Sequence, residues 1–189
     1  ALERKLWRER EKELVDKLHI QATTDQLTGI YNRRVIFEAL DDAMENSKKS
    51  SDREFTTIMF DIDFFKQVND NYGHAGGDAV LISFAQLLQT EISSPNIVGR
   101  VGGEEFLAIL YLSPDEAKEF CVKLIHKINH NFVDFEGTEI KISSSGGVAF
   151  STETETSADL ISKADERLYV AKKNGRNRFT LHDSELLGE

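Results

Sequence analysis

Arg100-Val101-Gly102-Gly103-Glu104-Glu105-Phe106, followed by the apolar run Leu107 to Leu112, reads as strand, tight turn, strand. The glycine pair predicts a turn that takes φ > 0 and a backbone that a bulky ligand can approach. Two adjacent carboxylates leave the turn, and their charges repel. Such a pair beside a tight turn calls for a compensating cation or proton. The simpler reading is a solvated hairpin whose acids face water, and taken alone the stretch favours it.

The rest of the chain supplies the context. Its 189 residues suit one domain with a small appendage. At that length a core forms without covalent staples. Hydrophobic residues make up 40% and charged residues 30%, as in an ordinary soluble globular protein. The net charge of −10 excludes nonspecific nucleic-acid binding through a basic face. It leaves room for a nucleotide, for which a few local Lys and Arg suffice. Cys121 is the single cysteine, so no intramolecular disulfide forms and a reducing, cytoplasmic compartment is expected. No 18-residue apolar run exists, and the N-terminus is too charged for a signal peptide. No membrane contact is expected of this segment. The chain begins at Ala1 rather than Met, which reads as a piece of a longer protein whose parent has its own relation to the membrane.

Residues 1–22 are dense in charge, with apolar Leu2, Leu6, Trp7, Leu14, Val15 and Leu18 and an i,i+4 pair, Glu13 to Lys17. The apolar seam lapses between Arg8 and Glu13. The segment is a free amphipathic helix or the end of a signalling stalk that pairs with a second copy. Thr24 to Gly29 is polar punctuation, and Asn32 caps a helix to about Glu45. Phe55 to Phe60 predicts a buried central strand ending in Asp61-Ile62-Asp63. Phe64 to Tyr72 predicts a short helix or turn, Gly73 to Gly77 a break, and Asp78 the opening of a helix to Glu91. Pro114 opens the next helix. Phe132 to Phe135 and Glu139 to Phe150 read as a second β pair around Glu136-Gly137. Ser157 caps a last helix through Lys173, closed by Asn174-Gly175, before a short strand at Phe179 to Leu181. Hairpin strands mixed with helices argue an α+β fold, helices packed on a largely antiparallel sheet.

Several features point to phosphate chemistry. Asp61 ends a buried strand, and the Glu104-Glu105 turn lies beside it if the two strands pair. Oxygen ligands with open positions suit Mg²⁺, which keeps waters and takes substrate phosphates as further ligands. Asp63 shares Asp61's face if the strand continues, or caps the next turn. Lys66 follows as a phosphate-binding point charge. Lys172 and Arg176, four apart, share a helix face or complement its C-terminal dipole.

These residues carry a resemblance. Asp25-x-Leu27-Thr28-Gly29-x-x-Asn32-Arg33-Arg34 and Asp61-Ile62-Asp63-Phe64-Phe65-Lys66-x-x-Asn69-Asp70-x-x-Gly73-His74-x-x-Gly77-Asp78 form the first two blocks. Arg100-x-Gly102-Gly103-Glu104-Glu105-Phe106, Ala164-Asp165-x-x-Leu168-Tyr169-x-Ala171-Lys172 and Gly175-Arg176-Asn177-Arg178 complete them. In this order, over about Thr24 to Phe179, they resemble the GGDEF family of diguanylate cyclases. Glu104 stands where the family name has Asp and keeps the carboxylate. The resemblance implies a fold similar to nucleotidyl cyclases and polymerase palm domains, and condensation of two GTP into cyclic di-GMP with release of two pyrophosphates. It implies that Asp61, the Ile62 carbonyl and Glu104 hold Mg²⁺, with Mn²⁺ as an alternative. Glu104 or Glu105 takes the proton of the 3′-hydroxyl, and Lys66 joins them as a catalytic residue. Lys66, Lys172, Arg176 and the backbone at Phe64, Phe65, Gly102 and Gly103 contact the nucleotide. Asn69 and Asp78 read guanine, since an ionised Asp78 accepts from N1–H and the exocyclic amine together. His74 contacts the nucleotide or pins the turn.

One departure stands out. Many members carry Arg-x-x-Asp five residues before the glycine pair, but here the same positions are Ser93-Ser94-Pro95-Asn96. Without the arginine fork and the carboxylate, no product inhibition is expected through this site. Gly146 replaces a usual apolar residue and is expected to loosen its strand. The reading is a stalk at 1–22, a cyclase domain at 23–182 and a tail at 183–189. It works as a homodimer beneath an upstream sensory domain. The alternative is a GTP- or cyclic di-GMP-binding module of the same fold with little turnover.

Overall fold

A computed structural model describes residues 2–50, 53–182 and 185–188. In chain order the elements are α1 (Leu2–Thr23), α2 (Arg33–Ser47), β1 (Thr56–Ile62), α3 (Phe65–Glu91), β2 (Ile97–Arg100), β3 (Glu105–Leu110) and α4 (Pro114–Asn129). There follow β4 (Phe132–Phe135), β5 (Thr138–Lys141), β6 (Ser144–Phe150), α5 (Ser157–Lys173), β7 (Arg178–Thr180) and β8 (Leu186–Gly188). Six strands form one sheet in the order β2-β3-β1-β6-β7-β8, antiparallel except where β6 runs parallel to β7. The fold is α+β: a central, mostly antiparallel sheet flanked by helices, with a helix at the N-terminus.

The sheet is covered on both faces, which is why β1 is buried along its whole length. Ile58, Phe60 and Ile62 point to one face with Phe106, Ala108 and Leu110 of β3. There they meet Val80, Leu81, Phe84 and Leu88 of α3 and Cys121, Leu124, Ile125 and Ile128 of α4. Met59, Leu107 and Ile109 point the other way, onto Ile36, Leu40 and Met44 of α2 and Leu160, Ala164 and Leu168 of α5. The odd-numbered end of β1, Asp61, therefore emerges on the α5 side.

Local chemistry sets the boundaries. The Asn32 side chain caps α2 by accepting from the Val35 amide. Thr156, rather than Ser157, caps α5, because its hydroxyl accepts from the Asp159 amide. The expected break at Gly73 to Gly77 narrows to one residue. Gly73 has φ 68° and ψ 179°, a conformation open essentially to glycine alone, while its neighbours stay helical. Gly76 and Gly77 are buried inside the second half of α3, so Asp78 lies within the helix and does not open it.

The run expected as one strand from Glu139 to Phe150 divides. Thr138–Lys141 pairs with β4 in a small separate hairpin, and Ser144–Phe150 joins the main sheet beside β1. Gly146 does not loosen β6. The Phe179 ring fills the missing side chain's space, so a Cβ there would lie 2.6 Å from Phe179 Cδ1. That ring also stands edge-on to Phe60 at 5.5 Å. The tail contributes β8, and Glu185 just before it pairs with Lys118 of α4. Residues 183, 184 and 189 of the expected tail lie outside the described residues.

α1 projects with Trp7, Leu14, Val15, Leu18 and Ile20 all more than half exposed. The side chains of Leu2 and Leu6, the start of the expected seam, lie outside the described ones. No helix among the described residues is long and apolar enough to cross a membrane.

Candidate active site

The β1–β3 pairing brings the separated acids together. Asp61 stands opposite Glu105 in the ladder, and the Ile62 amide donates to the Glu104 carbonyl at 3.2 Å. Glu104 and Glu105 therefore flank the end of β1. Burial raises the Asp61 carboxyl above its ordinary range, and repulsion from Glu104 and Glu105 adds to the effect. Lys172 opposes both, its Nζ 2.8 Å from Asp61 Oδ2. Lys172 reaches this position because α5 crosses the face on which Asp61 emerges.

The turn differs from the sequence expectation in its mechanics. Neither Gly102 nor Gly103 is among the glycines with positive φ. Gly102 lies against the Glu105 side chain: a Cβ there would sit 2.3 Å from Glu105 Oε2, and that carboxylate would have to swing aside. A Cβ at Gly103 would meet nothing within 4 Å, so that residue presents open backbone on the outer side.

Asp63 is tied into the fold by three hydrogen bonds. Its carboxylate accepts from Ser145 Oγ at 2.6 Å, Ser143 Oγ at 2.9 Å and the Asn177 amide at 2.9 Å. It neither shares Asp61's role nor caps the following turn. It staples β6 and the loop after α5 to the end of β1.

That loop places Arg176. The expected shared helix face with Lys172 does not exist, because α5 ends at Lys173. Instead the chain reverses through Arg176 (φ 61°) and Asn177 (φ 48°), two successive non-glycine residues in the left-handed region. The reversal lays the Arg176 guanidinium over the Phe64 ring at 4.7 Å. Phe64 is itself left-handed (φ 56°) and half-exposed as it opens α3. Phe65 and Lys66 open α3, where the first amides have no intrahelical partner and the helix end is positive. Lys66 is exposed beside them.

The Gly73 kink builds a second cluster. It folds Asn69 of the first half of α3 onto Gly77 of the second, where a Cβ would lie 2.0 Å from Asn69 Oδ1. Asp78 and His74 are exposed one turn apart on that second half. Asn69, His74 and Asp78 thus gather at the kink, while Phe64, Lys66, Lys172 and Arg176 gather at the β1 end.

Among the described residues, no three or more His, Cys, Asp or Glu converge into a closed metal cage. The residues present still fit a hard divalent cation. Asp61, raised by burial and further by its acidic neighbours, and the half-buried Glu104 beside it form an open set of oxygens. Mg²⁺ completes such a set with backbone carbonyl, water and phosphate.

Three contributors carried no role in the sequence reading. Asp165 of α5 lies near Glu105 and Lys172; desolvation raises its carboxyl, Glu105 raises it further, and Lys172 lowers it. Arg100 and Arg33 bind main-chain carbonyls of the acidic turn. The signal for these three was their place inside the quoted motif blocks. The departed inhibitory motif is also visible. Ser93 is exposed, and Asn96 Oδ1 accepts from the Tyr111 amide at 2.8 Å. A cleft of about 440 Å³ lies there, lined by Thr24, Tyr31, Gln89, Ser93 and Asn96, away from the acids.

A family model described as "Diguanylate cyclase, GGDEF domain" matches residues 22–178. The chain belongs to the GGDEF diguanylate cyclase family. Curated GGDEF relatives include Diguanylate cyclase A of Treponema denticola, 33% identical over 168 residues, covering 87% of this chain and 45% of the relative. A diguanylate cyclase of Vibrio cholerae is 35% identical over 173 residues, covering 90% and 53%. The chain thus spans about half the length, or less, of the curated relatives it matches. Among solved structures, the coiled coil and GGDEF domain of DgcB from Caulobacter crescentus, in complex with c-di-GMP, superposes with a TM-score of 0.85 at 27% identity, covering 95% of both chains. Diguanylate cyclase SiaD from Pseudomonas aeruginosa, in complex with its activator SiaC, gives 0.82 at 30% identity, covering 94% of this chain and 68% of that one.

Proposed function

We propose that this chain is an active diguanylate cyclase that joins two GTP into cyclic di-GMP. The observation that carries the reading is Asp61 held beneath Glu104 and Glu105, with a cation, the Lys172 ammonium, 2.8 Å from its carboxylate. Asp61, the Ile62 carbonyl and Glu104 hold Mg²⁺, with Mn²⁺ able to replace it. When bound, the ions lower the pKa of the attacking hydroxyl and neutralise charge on the leaving pyrophosphate.

The chain's own groups do the rest. Lys66, Lys172 and Arg176 hold the triphosphate, and the opening amides of α3 face its oxygens. Asn69 and Asp78 read the guanine edge across the Gly73 kink, with His74 at the rim. Glu104 or Glu105 accepts the 3′-hydroxyl proton as the 3′ oxygen bonds to the α-phosphorus of the second GTP. The bond to the β,γ-diphosphate breaks and pyrophosphate leaves. The same exchange in the opposite sense closes the ring, so two GTP give one cyclic di-GMP and two pyrophosphates.

One domain carries one such nucleotide site, so two copies face each other for reaction, and turnover follows how often they do. The exposed apolar side chains of α1 supply the pairing surface, on which an upstream sensory domain of the parent acts. A reaction that draws on GTP and Mg²⁺ suits the cytoplasm, whether or not the parent is anchored in a membrane.

Incubation with GTP and Mg²⁺, with detection of cyclic di-GMP and pyrophosphate, tests the reading. Product is expected from the wild type and none from Glu104→Gln. Nucleotide binding without product would make the chain a binding module of the same fold. Removal of residues 1–22 is expected to lower turnover most at low protein concentration; unchanged turnover at every concentration would end the stalk's role.

A further inference from the structure

The acidic turn is held from outside the site by two arginines. Arg100, the last residue of β2, folds its guanidinium back along the turn. Its Nε lies 3.2 Å from the Gly102 carbonyl and 3.1 Å from that of Gly103, and its Nη2 donates to Gly103 at 2.7 Å. Arg33, the first residue of α2, donates from Nη1 to the Val101 carbonyl at 2.6 Å. Three successive turn carbonyls thus accept from two guanidinium groups, and the next residues are Glu104 and Glu105.

Arg100 is itself held. Its Nη1 donates to Asp25 Oδ1 at 3.1 Å, and the same oxygen accepts from the Thr28 amide at 2.9 Å and the Thr28 hydroxyl at 2.7 Å. The pair is largely out of water, with 16% of the Arg100 side chain and 25% of Asp25 exposed. Asp25 lies just after α1, whose Ala22 carbonyl accepts from Asn32 Nδ2 at 2.9 Å and Arg34 Nη2 at 2.7 Å.

We propose that Arg100 and Arg33 are positioning residues for the cyclase reaction, aiming Glu104 and Glu105 at Asp61 by fixing the carbonyl path of residues 101–103. Asp25 holds Arg100 in place for that task. A turn with two glycines has little side-chain packing to define it, and glycine leaves its backbone more freedom than any other residue. A planar fork that grips two carbonyls and a carboxylate at once removes that freedom, which a lysine's point charge does not do. The proposal rests on the cyclase reading given above.

The test uses the whole chain with Arg100→Lys, Arg33→Lys and Asp25→Asn. Each is assayed for GTP turnover, thermal unfolding and amide hydrogen exchange across residues 101–106. Arg100→Lys is expected to lower kcat by about 10- to 100-fold, the cost of misplacing a reacting group. KM should change less than kcat, since Lys66, Lys172 and Arg176 lie outside the turn. Exchange should quicken at 101–106 and stay unchanged in α4 and α5. Asp25→Asn should cost less, and adding it to Arg100→Lys should cost almost nothing further, because both act through one contact. Wild-type kcat and exchange in Arg100→Lys would overturn the proposal. So would quickened exchange throughout the fold with full kcat per folded molecule, the mark of a merely structural residue. If the wild type makes no cyclic di-GMP, the cyclase reading fails separately, and exchange at 101–106 alone decides whether the arginines define the turn.

Discussion

Lys172 Nζ lies 2.8 Å from Asp61 Oδ2, joining the last turn of α5 to the end of the central strand. Asp61 has only 10% of its side chain exposed and faces two further acids. The lysine is the cation that the fold itself supplies to this cluster. Burial and repulsion still prevail, and the carboxyl remains raised.

Asp61→Asn is expected to make the metal-free protein more stable at pH 7 while abolishing turnover. An acid raised in the folded state binds its proton more tightly there than in the unfolded chain. Stability therefore falls as pH rises from the carboxyl's ordinary 3.8 through its folded value. The variant avoids that loss and should melt about 2–4 °C higher for each kcal/mol recovered. The difference should shrink as pH is lowered through the window and vanish below it. Mg²⁺ should raise the melting temperature of the wild type only. Calorimetry with and without Mg²⁺ gives both readings.

Lys172→Met removes the internal cation and leaves Asp61 facing Glu104 and Glu105 alone. The metal-free variant should melt below the wild type, and added Mg²⁺ should narrow the gap. GTP turnover should drop as well, because the triphosphate loses one ligand. A gap indifferent to Mg²⁺ would show that Lys172 and the metal do not answer the same charge.

Arg167, 3% exposed, makes a bidentate pair with Glu153, both nitrogens at 2.7 Å, and donates to the Val148 carbonyl at 2.7 Å. Burial would raise the Glu153 carboxyl, but the bonds from Arg167 and the Phe150 amide more than offset it and lower it overall. Glu153→Gln removes the negative charge that faces a buried guanidinium and should cost about 3 kcal/mol in urea unfolding at pH 7. A lowered acid contributes its stability above the unfolded pKa. The deficit should therefore be full above about pH 4.5 and narrow as pH falls below it.

β6 and α5 touch backbone to backbone at Gly147. A Cβ there would lie 1.9 Å from the Ala164 carbonyl oxygen and 2.4 Å from the Leu168 nitrogen. Neither atom can turn aside as a side chain could. Gly147→Ala should cost about 3 kcal/mol or more and push α5 away, carrying Lys172 from Asp61. Denaturant unfolding showing a change under about 0.5 kcal/mol would contradict the contact.

Cyclic di-GMP is expected not to inhibit through the Ser93 to Asn96 loop. Asn96 spends its side-chain oxygen on the Tyr111 amide, and the loop offers no guanidinium to a phosphate. Isothermal titration should show no tight product binding there. Tight binding abolished by Ser93→Ala or Asn96→Ala would refute this.

The helical periods and the β-rich run at 55–60 were legible as a layered α+β fold, and the collinear motif blocks pointed to the acids that β1 and β3 bring together. What escaped has common physical causes. Arg33 and Arg100 act on carbonyl oxygens, which every residue carries, so no side-chain pattern marks their targets. Asp63 stayed open between sharing Asp61's face and capping a turn because spacing alone cannot show that two serines and an amide donate to it. The strand from Glu139 to Phe150 hid its division because the residues between its halves, Ile142 and Ser143, are as compatible with a strand as their neighbours. Gly102 and Gly103 suggested a positive φ, whereas neither adopts one and Gly102 lies against the Glu105 carboxylate. Arg176 reached the site by a left-handed reversal, invisible to any helical wheel.

On the proposed reading of Asn69 and Asp78 as contacts to the base, the bend at Gly73 bears on substrate choice. Asn69 and Asp78 ride on separate halves of one helix, and the dihedral angles of a single residue set the gap between them. The width offered to a purine is thus governed by torsion, and no bulky wall has to measure it. A lineage drifting toward another base could retune that gap by altering the hinge before exchanging either recognition side chain.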